Sequence, residues 1–371
     1  MHMSSGSGGI TQPTYLVTGD LRYLMYQWAA GTKFHLPEKS FFRKLRTDLV
    51  LELERIFTPL GVNVQFESYG RVKSKVLDLL ETFANGAPVI SLDRVYADNP
   101  DMFFNTTRIV ECLNPARPFG VDWADNWRMI GNGPRPTSLF VKKFVGIDEQ
   151  LRLIGLLDSI RKTDNKRVVV VDDGIWSRQS LHAIEQRLAV MGIVVDKFIV
   201  GIRIEPGADA DPDEFKTLKA TLYNPDGYSF PSNLVYDWVC ERDFFVGAPL
   251  SGRTIGYLDP RFKDLAAAKG EPYPGVPSEG NLSAPYVLPL GDPERWSHIP
   301  SEEAVRFSVF CLNQALALYE AIEKKTFDVT GATRQIQAGD LARVPVRYNS
   351  NQDRPITDWL KESLAELEPF L

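Results

Sequence analysis

The segment RVVVVDDGIWSRQSLHAIEQRLAVMGIVVDKFIVGIRI, residues 167–204, restricts the fold of this chain more than any other stretch. Val168 to Val171 run without a polar interruption, which is the pattern of a strand covered on both faces. Two acids, Asp172 and Asp173, follow at once. Burying a carboxylate is costly unless it is paired or sits at an edge, so the acids are expected at the carboxyl end of the strand. Leu181, Ile184, Leu188 and Met191 then recur at helical spacing, Gly192 supplies the stop, and Ser177 or Ser180 would serve as N-cap. Residues 198–204 give a second apolar strand. In open parallel sheets ligands lie beyond the carboxyl ends of the strands, and a helix N-terminus offers free N–H groups to an anion. The arrangement implied is a pair of carboxylates beside a phosphate cradle.

The same rhythm runs upstream. TYLVTGD (14–20) reads as a short strand closed by a Gly-Asp turn. FFRKLRTDLVLELERIFTPLG (41–61) carries Phe42, Leu45, Leu49, Leu53 and Phe57 at helical spacing, with Pro59-Leu60-Gly61 as the stop. VNVQFESYG (62–70) alternates like a strand, VKSKVLDLLETFANG (72–86) is an amphipathic helix closed by Asn85-Gly86, and APVISLDRV (87–95) is an apolar strand. This alternation predicts an α/β fold with a mostly parallel, helix-covered sheet. Residues 96–138 break it, being rich in Asn, Pro, Gly and aromatics and carrying Arg108, Arg117, Arg128 and Arg135. Loops of that length are usually functional or disordered, and the aromatic content argues against disorder. Residues 147–162 return to a helical pattern and residues 206–214 form a polar turn. A strand-like piece lies within 240–253 and a Pro/Gly-rich stretch spans 270–300. Residues 302–325 form a helix with Val305, Val309, Leu312, Leu316 and Tyr319 on one face, and 356–371 a short amphipathic helix.

A chain of 371 residues exceeds what one core usually supports, so two domains or one elaborated α/β domain are expected. A net charge of −6 argues against general nucleic-acid binding and against an anionic membrane surface. Cys112, Cys240 and Cys311 are distant, odd in number and form no C-x-x-C pair, which fits a reducing compartment. His2, His35, His182 and His298 are scattered singly, leaving a histidine zinc site or a Ser-His-Asp triad little to build on. MHMSSGSGG is unlike a signal peptide, so residues 1–11 are read as a disordered or expression-derived leader. No apolar run approaches the roughly 20 residues needed to span a bilayer, and a cytoplasmic location is expected.

Two families share the order of strand, acids, loop and helix. Response-regulator receiver domains also carry an acidic pair, but they need a phospho-accepting Asp at the end of a following strand. KFIVGIRIEPG (197–207) ends without one. The segment more closely resembles the phosphoribosyl-diphosphate-binding motif of type I phosphoribosyltransferases. That motif comprises an apolar run, two acids, a short loop rich in glycine and hydroxyls, a helix ending in Gly and a second apolar strand. It is matched by VVVV, Asp172-Asp173, Gly174 to Ser180, Leu181 to Met191, Gly192 and residues 198–204.

The resemblance implies a phosphoribosyltransferase-type sheet with N-terminal and C-terminal helical elaborations. Residues 12–86 would form an N-terminal α/β portion, 87–255 the core and 256–371 a mostly helical extension. By the same resemblance Asp172 and Asp173 hold the ribose hydroxyls and indirectly Mg²⁺, while Gly174, Ser177, Arg178, Gln179 and Ser180 hold the 5-phosphate. Asp93 and Arg94, in Ser91-Leu92-Asp93-Arg94, would cradle the pyrophosphate, and residues 131–144, with Arg135, Lys142 and Lys143, would close over the reactants. Residues 243–247 resemble the strand that flanks the base in purine-type members. The departure is Trp176-Ser177-Arg178-Gln179-Ser180, where the family has a Thr-Thr-Gly-Gly-Thr type of loop. Arg178 stands at the first glycine position, where a Cβ restricts backbone choice but a guanidinium can bind phosphate directly. The implied partner is phosphoribosyl diphosphate or a nucleotide, the implied cofactor Mg²⁺ and the implied reaction phosphoribosyl transfer to or from a base. A homodimer is kept open. The alternative is a non-catalytic nucleotide-sensing or assembly protein on the same fold, and a third is another phosphosugar or nucleotide enzyme built on it.

Overall fold

A computed structural model gives the structure of residues 12–30, 34–84, 86–91, 158, 160–162, 165–190, 192–207, 215–246, 285, 287–290, 293–337, 340 and 354–371. Asp93, Arg94, the 96–138 and 131–144 loops, most of the 147–162 helix and most of the 270–300 stretch lie outside the described residues. The chain divides into two compact units, neither continuous in sequence. Among the described residues one unit draws on 12–16, 60–91 and 158–237, the other on 17–59 and 238–371.

The first unit is built on a parallel sheet. β3 (Val89–Ser91), β4 (Arg167–Ile175), β5 (Val194–Glu205) and β6 (Thr221–Tyr223) lie in that order, all parallel. β7 (Ser229–Pro231) pairs with β5 further along the edge that β6 uses. Thus β6 and β7 act as one interrupted strand. Val168 to Val171 are wholly buried, each contributing roughly 1.5–3 kcal/mol from burial.

Both faces of this sheet carry a helix. α3 (Tyr69–Phe83) and α4 (Gln179–Val190) have the apolar spacing read from the sequence. Leu181, Ile184 and Leu188 of α4 pack with Val168, Val170, Phe198 and Val200, and Leu222 joins that cluster. The next residue, Tyr223, projects to the opposite face, where Phe83 stacks on it at 4.3 Å between ring centroids. The fold is therefore α/β, with a parallel sheet between helices. Gly86 and Gly192 follow their helices with φ of 75° and 73°, as a left-handed helix stop requires. α3 starts three residues earlier than the sequence pattern suggests, at Tyr69, because Tyr69 is itself buried and extends the apolar stripe of Val72 and Val76.

A second, three-stranded sheet has the order β2 (Asn63–Ser68), β1 (Thr14–Gly19), β8 (Val235–Cys240). β2 does not show the alternation read from its sequence, since five of its six residues are equally half-buried. β1 and β8 each begin in the first unit and end in the second.

The second unit is mainly helical. It contains α1 (Leu21–Ala30), α2 (Lys39–Phe57), α5 (Glu241–Phe245), α6 (Pro293–Ser297), α7 (Ala304–Glu323) and α8 (Ile356–Leu367). α2 buries Phe42, Leu45, Leu49, Leu53 and Phe57 as its spacing predicts. α7 packs against α8, α5, α6 and α2, and it buries Leu312 and Tyr319 of the expected face together with Phe307, Cys311, Ala315, Leu318 and Ile322. Val305, Val309 and Leu316 of the expected face are only half-buried. The helix is apolar nearly all round, so its periodicity does not single out a face.

Residues 241–245 are a helix rather than the strand expected within 240–253, and the likeness of 243–247 to a base-flanking strand fails with it. Every residue of this short helix is buried, including three charged ones. Arg242 Nη1 lies 2.8 Å from Asp20 Oδ2, the two side chains being 2% and 1% exposed, and the Arg242 N–H donates to Asp20 Oδ1. Trp238 Nε1 donates to Thr18 Oγ1 at 2.7 Å. These bonds hold the carboxyl ends of β1 and β8 side by side and anchor the turn into α5.

Candidate anion-binding site at the carboxyl end of the parallel sheet

β4 does not stop at the acids. It continues through Asp172, Asp173 and Gly174 to Ile175, with Asp172 opposite Val200 and Gly174 opposite Ile202. The acids thus lie within the strand, two and three residues before its end, because β5 is long enough to keep the ladder going. Successive strand residues project to opposite faces, so the half-buried carboxylates flank β4 instead of converging. Asp172 Oδ1 also accepts the Asp173 N–H at 3.0 Å.

Trp176, Ser177 and Arg178 join the strand to α4. The first intrahelical bond runs from the His182 N–H to the Arg178 carbonyl at 2.9 Å, so Arg178 takes the N-cap place expected of Ser177 or Ser180. Ser177 instead accepts the Lys216 N–H on its carbonyl at 3.0 Å, and Ser180 falls within the first turn. The side chains of Gln179 and Ser180 lie outside the described ones. Arg178 holds φ at 62°, a left-handed conformation that costs a residue with a Cβ roughly 1–2 kcal/mol. A glycine would adopt it freely. The backbone here therefore has the shape for which the sequence resemblance calls for glycine, held by an arginine.

The half-buried Arg178 side chain has an Nε that is buried without a hydrogen-bond partner among the described residues. Burial lowers the guanidinium pKa first, the neighbouring Arg203 lowers it further, and Glu205 partly opposes both. Arg203 stands in register with Ile175 on one side and Ser229 on the other. Its Nη2 donates to Glu205 Oε2 at 2.9 Å, while Ser229 Oγ donates to Glu205 Oε1 at 2.7 Å. The Arg203 Nε, like that of Arg178, is buried without a partner among the described residues. Sequence reasoning missed Arg203, Glu205 and Ser229. The available signal was a charged pair two residues apart, on one face at the carboxyl end of β5.

A strap holds the loop in place. Residues 215–220 cross from β5 toward β6 over α4, and the buried Glu185 of α4 accepts the N–H groups of Lys219 at 3.0 Å and Ala220 at 2.7 Å. His182 Nδ1 lies 3.0 Å from the Thr217 carbonyl. The Lys216 bond to Ser177 is the end of this strap. Together the loop, the N-terminus of α4 and two arginines gather positive potential at the end of the strand that carries Asp172 and Asp173, an arrangement suited to an anion.

No family model matches the chain, and neither a curated protein nor a solved structure does.

Proposed function

We propose that this protein binds phosphoribosyl diphosphate, or the phosphate of a nucleotide, at residues 172–180, and transfers phosphoribosyl to or from a base on a phosphoribosyltransferase-type fold. The observation that carries the proposal is the left-handed backbone of Arg178 after an acid-bearing parallel strand and before a helix N-terminus. Strained backbone of this kind concentrates at ligand clamps. The ribose hydroxyls would meet one of the two acids, Asp172 or Asp173, which flank β4, and the phosphate would meet the loop N–H groups, Ser177 and the Arg178 guanidinium. Mg²⁺, which such a donor brings on its diphosphate, would draw one of Asp172 and Asp173 from the protein, since the two flank β4. That fits its habit of binding through one or two carboxylates plus substrate oxygens. In the transfer the acceptor forms a bond to ribose C1 as the bond to pyrophosphate breaks, and positioning and charge supply the catalysis.

Isothermal titration calorimetry with phosphoribosyl diphosphate and Mg²⁺ tests this. Saturable binding that Asp173→Asn weakens is expected, together with base-dependent release of pyrophosphate. The absence of any heat from the wild type sinks the proposal. The second reading is a nucleotide sensor without turnover, and it is favoured by the arginine side chain where close backbone approach to phosphate would be easiest with glycine. Binding without turnover on any base selects it.

A further inference from the structure

We infer that Arg203 and Arg178 form a two-arginine clamp for phosphate groups, in which Glu205 occupies Arg203 in the free protein as an internal competitor. The inference rests on the proposed phosphate site but adds a residue set to it.

The argument begins with register. Ile175 is the last residue of β4 and pairs with Arg203, so the chain that leaves for Trp176 to Arg178 departs alongside Arg203. The two guanidiniums stand close enough that the charge of Arg203 penalises that of Arg178. Like charges are not brought together at a strand end without something of opposite sign between or beside them. Glu205 is the one carboxylate hydrogen-bonded to Arg203 among the described residues, and Arg178 has no ion pair with any described group. Both arginines also carry a buried Nε without an acceptor. One carboxylate is therefore set against two cations, and two donor groups lie ready for acceptor oxygens. A phosphate monoester brings about two negative charges and pyrophosphate about three, each with several acceptor oxygens that suit the planar fork of arginine. Ser229 holds Glu205 by its other oxygen, which gives the carboxylate a second partner when an anion takes Arg203.

The test uses the full chain and inorganic pyrophosphate without Mg²⁺, followed by calorimetry at constant ionic strength. The wild type is expected to bind pyrophosphate saturably. Arg203→Gln should weaken binding by about tenfold or more, and Arg203→Lys should restore only part of it, since a lysine lacks the fork. Glu205→Gln should tighten binding several-fold by removing the competitor. This opposite sign separates a binding role from a folding defect, which would weaken binding in both variants. Unchanged affinity in Arg203→Gln, weaker binding in Glu205→Gln, or no pyrophosphate binding by the wild type overturns the clamp. Pyrophosphate binding that survives Asp173→Asn, alongside no binding of phosphoribosyl diphosphate with Mg²⁺, would leave the clamp standing and remove the transferase. Binding of phosphoribosyl diphosphate that ignores Arg203 would do the reverse.

Discussion

At the scale of single residues, Arg178 carries a backbone cost that its side chain does not recover through any hydrogen bond within the described structure. Arg178→Gly relieves that cost and the repulsion from Arg203, against the extra chain entropy of glycine. The thermal midpoint should stay within about 2 °C of the wild type while anion binding falls sharply. A large loss of stability in calorimetric unfolding would show that the side chain packs rather than binds. Glu241 makes a different point in the second unit. Complete burial pushes its pKa up to about 7, and Arg46, 3.4 Å away, offsets this only in part. The folded state thus holds the Glu241 proton more tightly than the unfolded chain, whose ordinary value is 4.5. Its contribution to stability is fully present below that value and is lost as pH rises through about 7. Chemical denaturation between about pH 4.5 and about pH 8 should show a smaller fall in stability for Glu241→Gln than for the wild type. Identical slopes would mean that the side chain stays ionised throughout.

At the scale of elements, long periodic segments were legible and short or fully buried ones were not. α2, α3, β4, α4 and β5 could be read because each presents an apolar set at one spacing over many residues. β6 and β7 have three residues each, too few for any period, and they exist because β5 offers them an edge. α5 reads as a strand because Phe244, Phe245 and Val246 follow one another, and its five residues are too few to show a helical period. Of the candidate site, the acids and the loop were legible as local sequence. The Arg203 clamp was not, because register between strands brings Ile175, Arg203 and Ser229 into one row. The strap is equally hidden, since Glu185 reads as an ordinary helix-surface acid until residues 219–220 are seen to bond to it. Glu185→Ala leaves two N–H groups without their acceptor and should cost about 2–4 kcal/mol. Amide exchange should quicken at 216–220 and the 177–178 loop before it quickens in β4. Uniform acceleration throughout the first unit would show that Glu185 supports the core rather than the strap.

At the scale of the whole molecule, the route of the chain matters more than either unit alone. β1 and β8 cross the boundary between units in mid-strand, and residues 17–59 belong with residues 238–371. A cut made along the sequence removes part of both units. The fragment 60–237 loses residues 12–16, and with them β1 from the three-stranded sheet. It should be insoluble or lack a cooperative unfolding transition, and a fragment that melts cooperatively would show that the first unit needs no help from β1. The same route sets a timetable on the ribosome. α2 emerges with its apolar face complete at Phe57, yet α7, against which it packs, starts only at Ala304. At roughly 5–20 residues per second, translation leaves the part of that face that meets α7 uncovered for roughly 12–50 seconds. Apolar surface exposed in this way is what holding chaperones bind, and the yield of native protein should rise with their supply during synthesis.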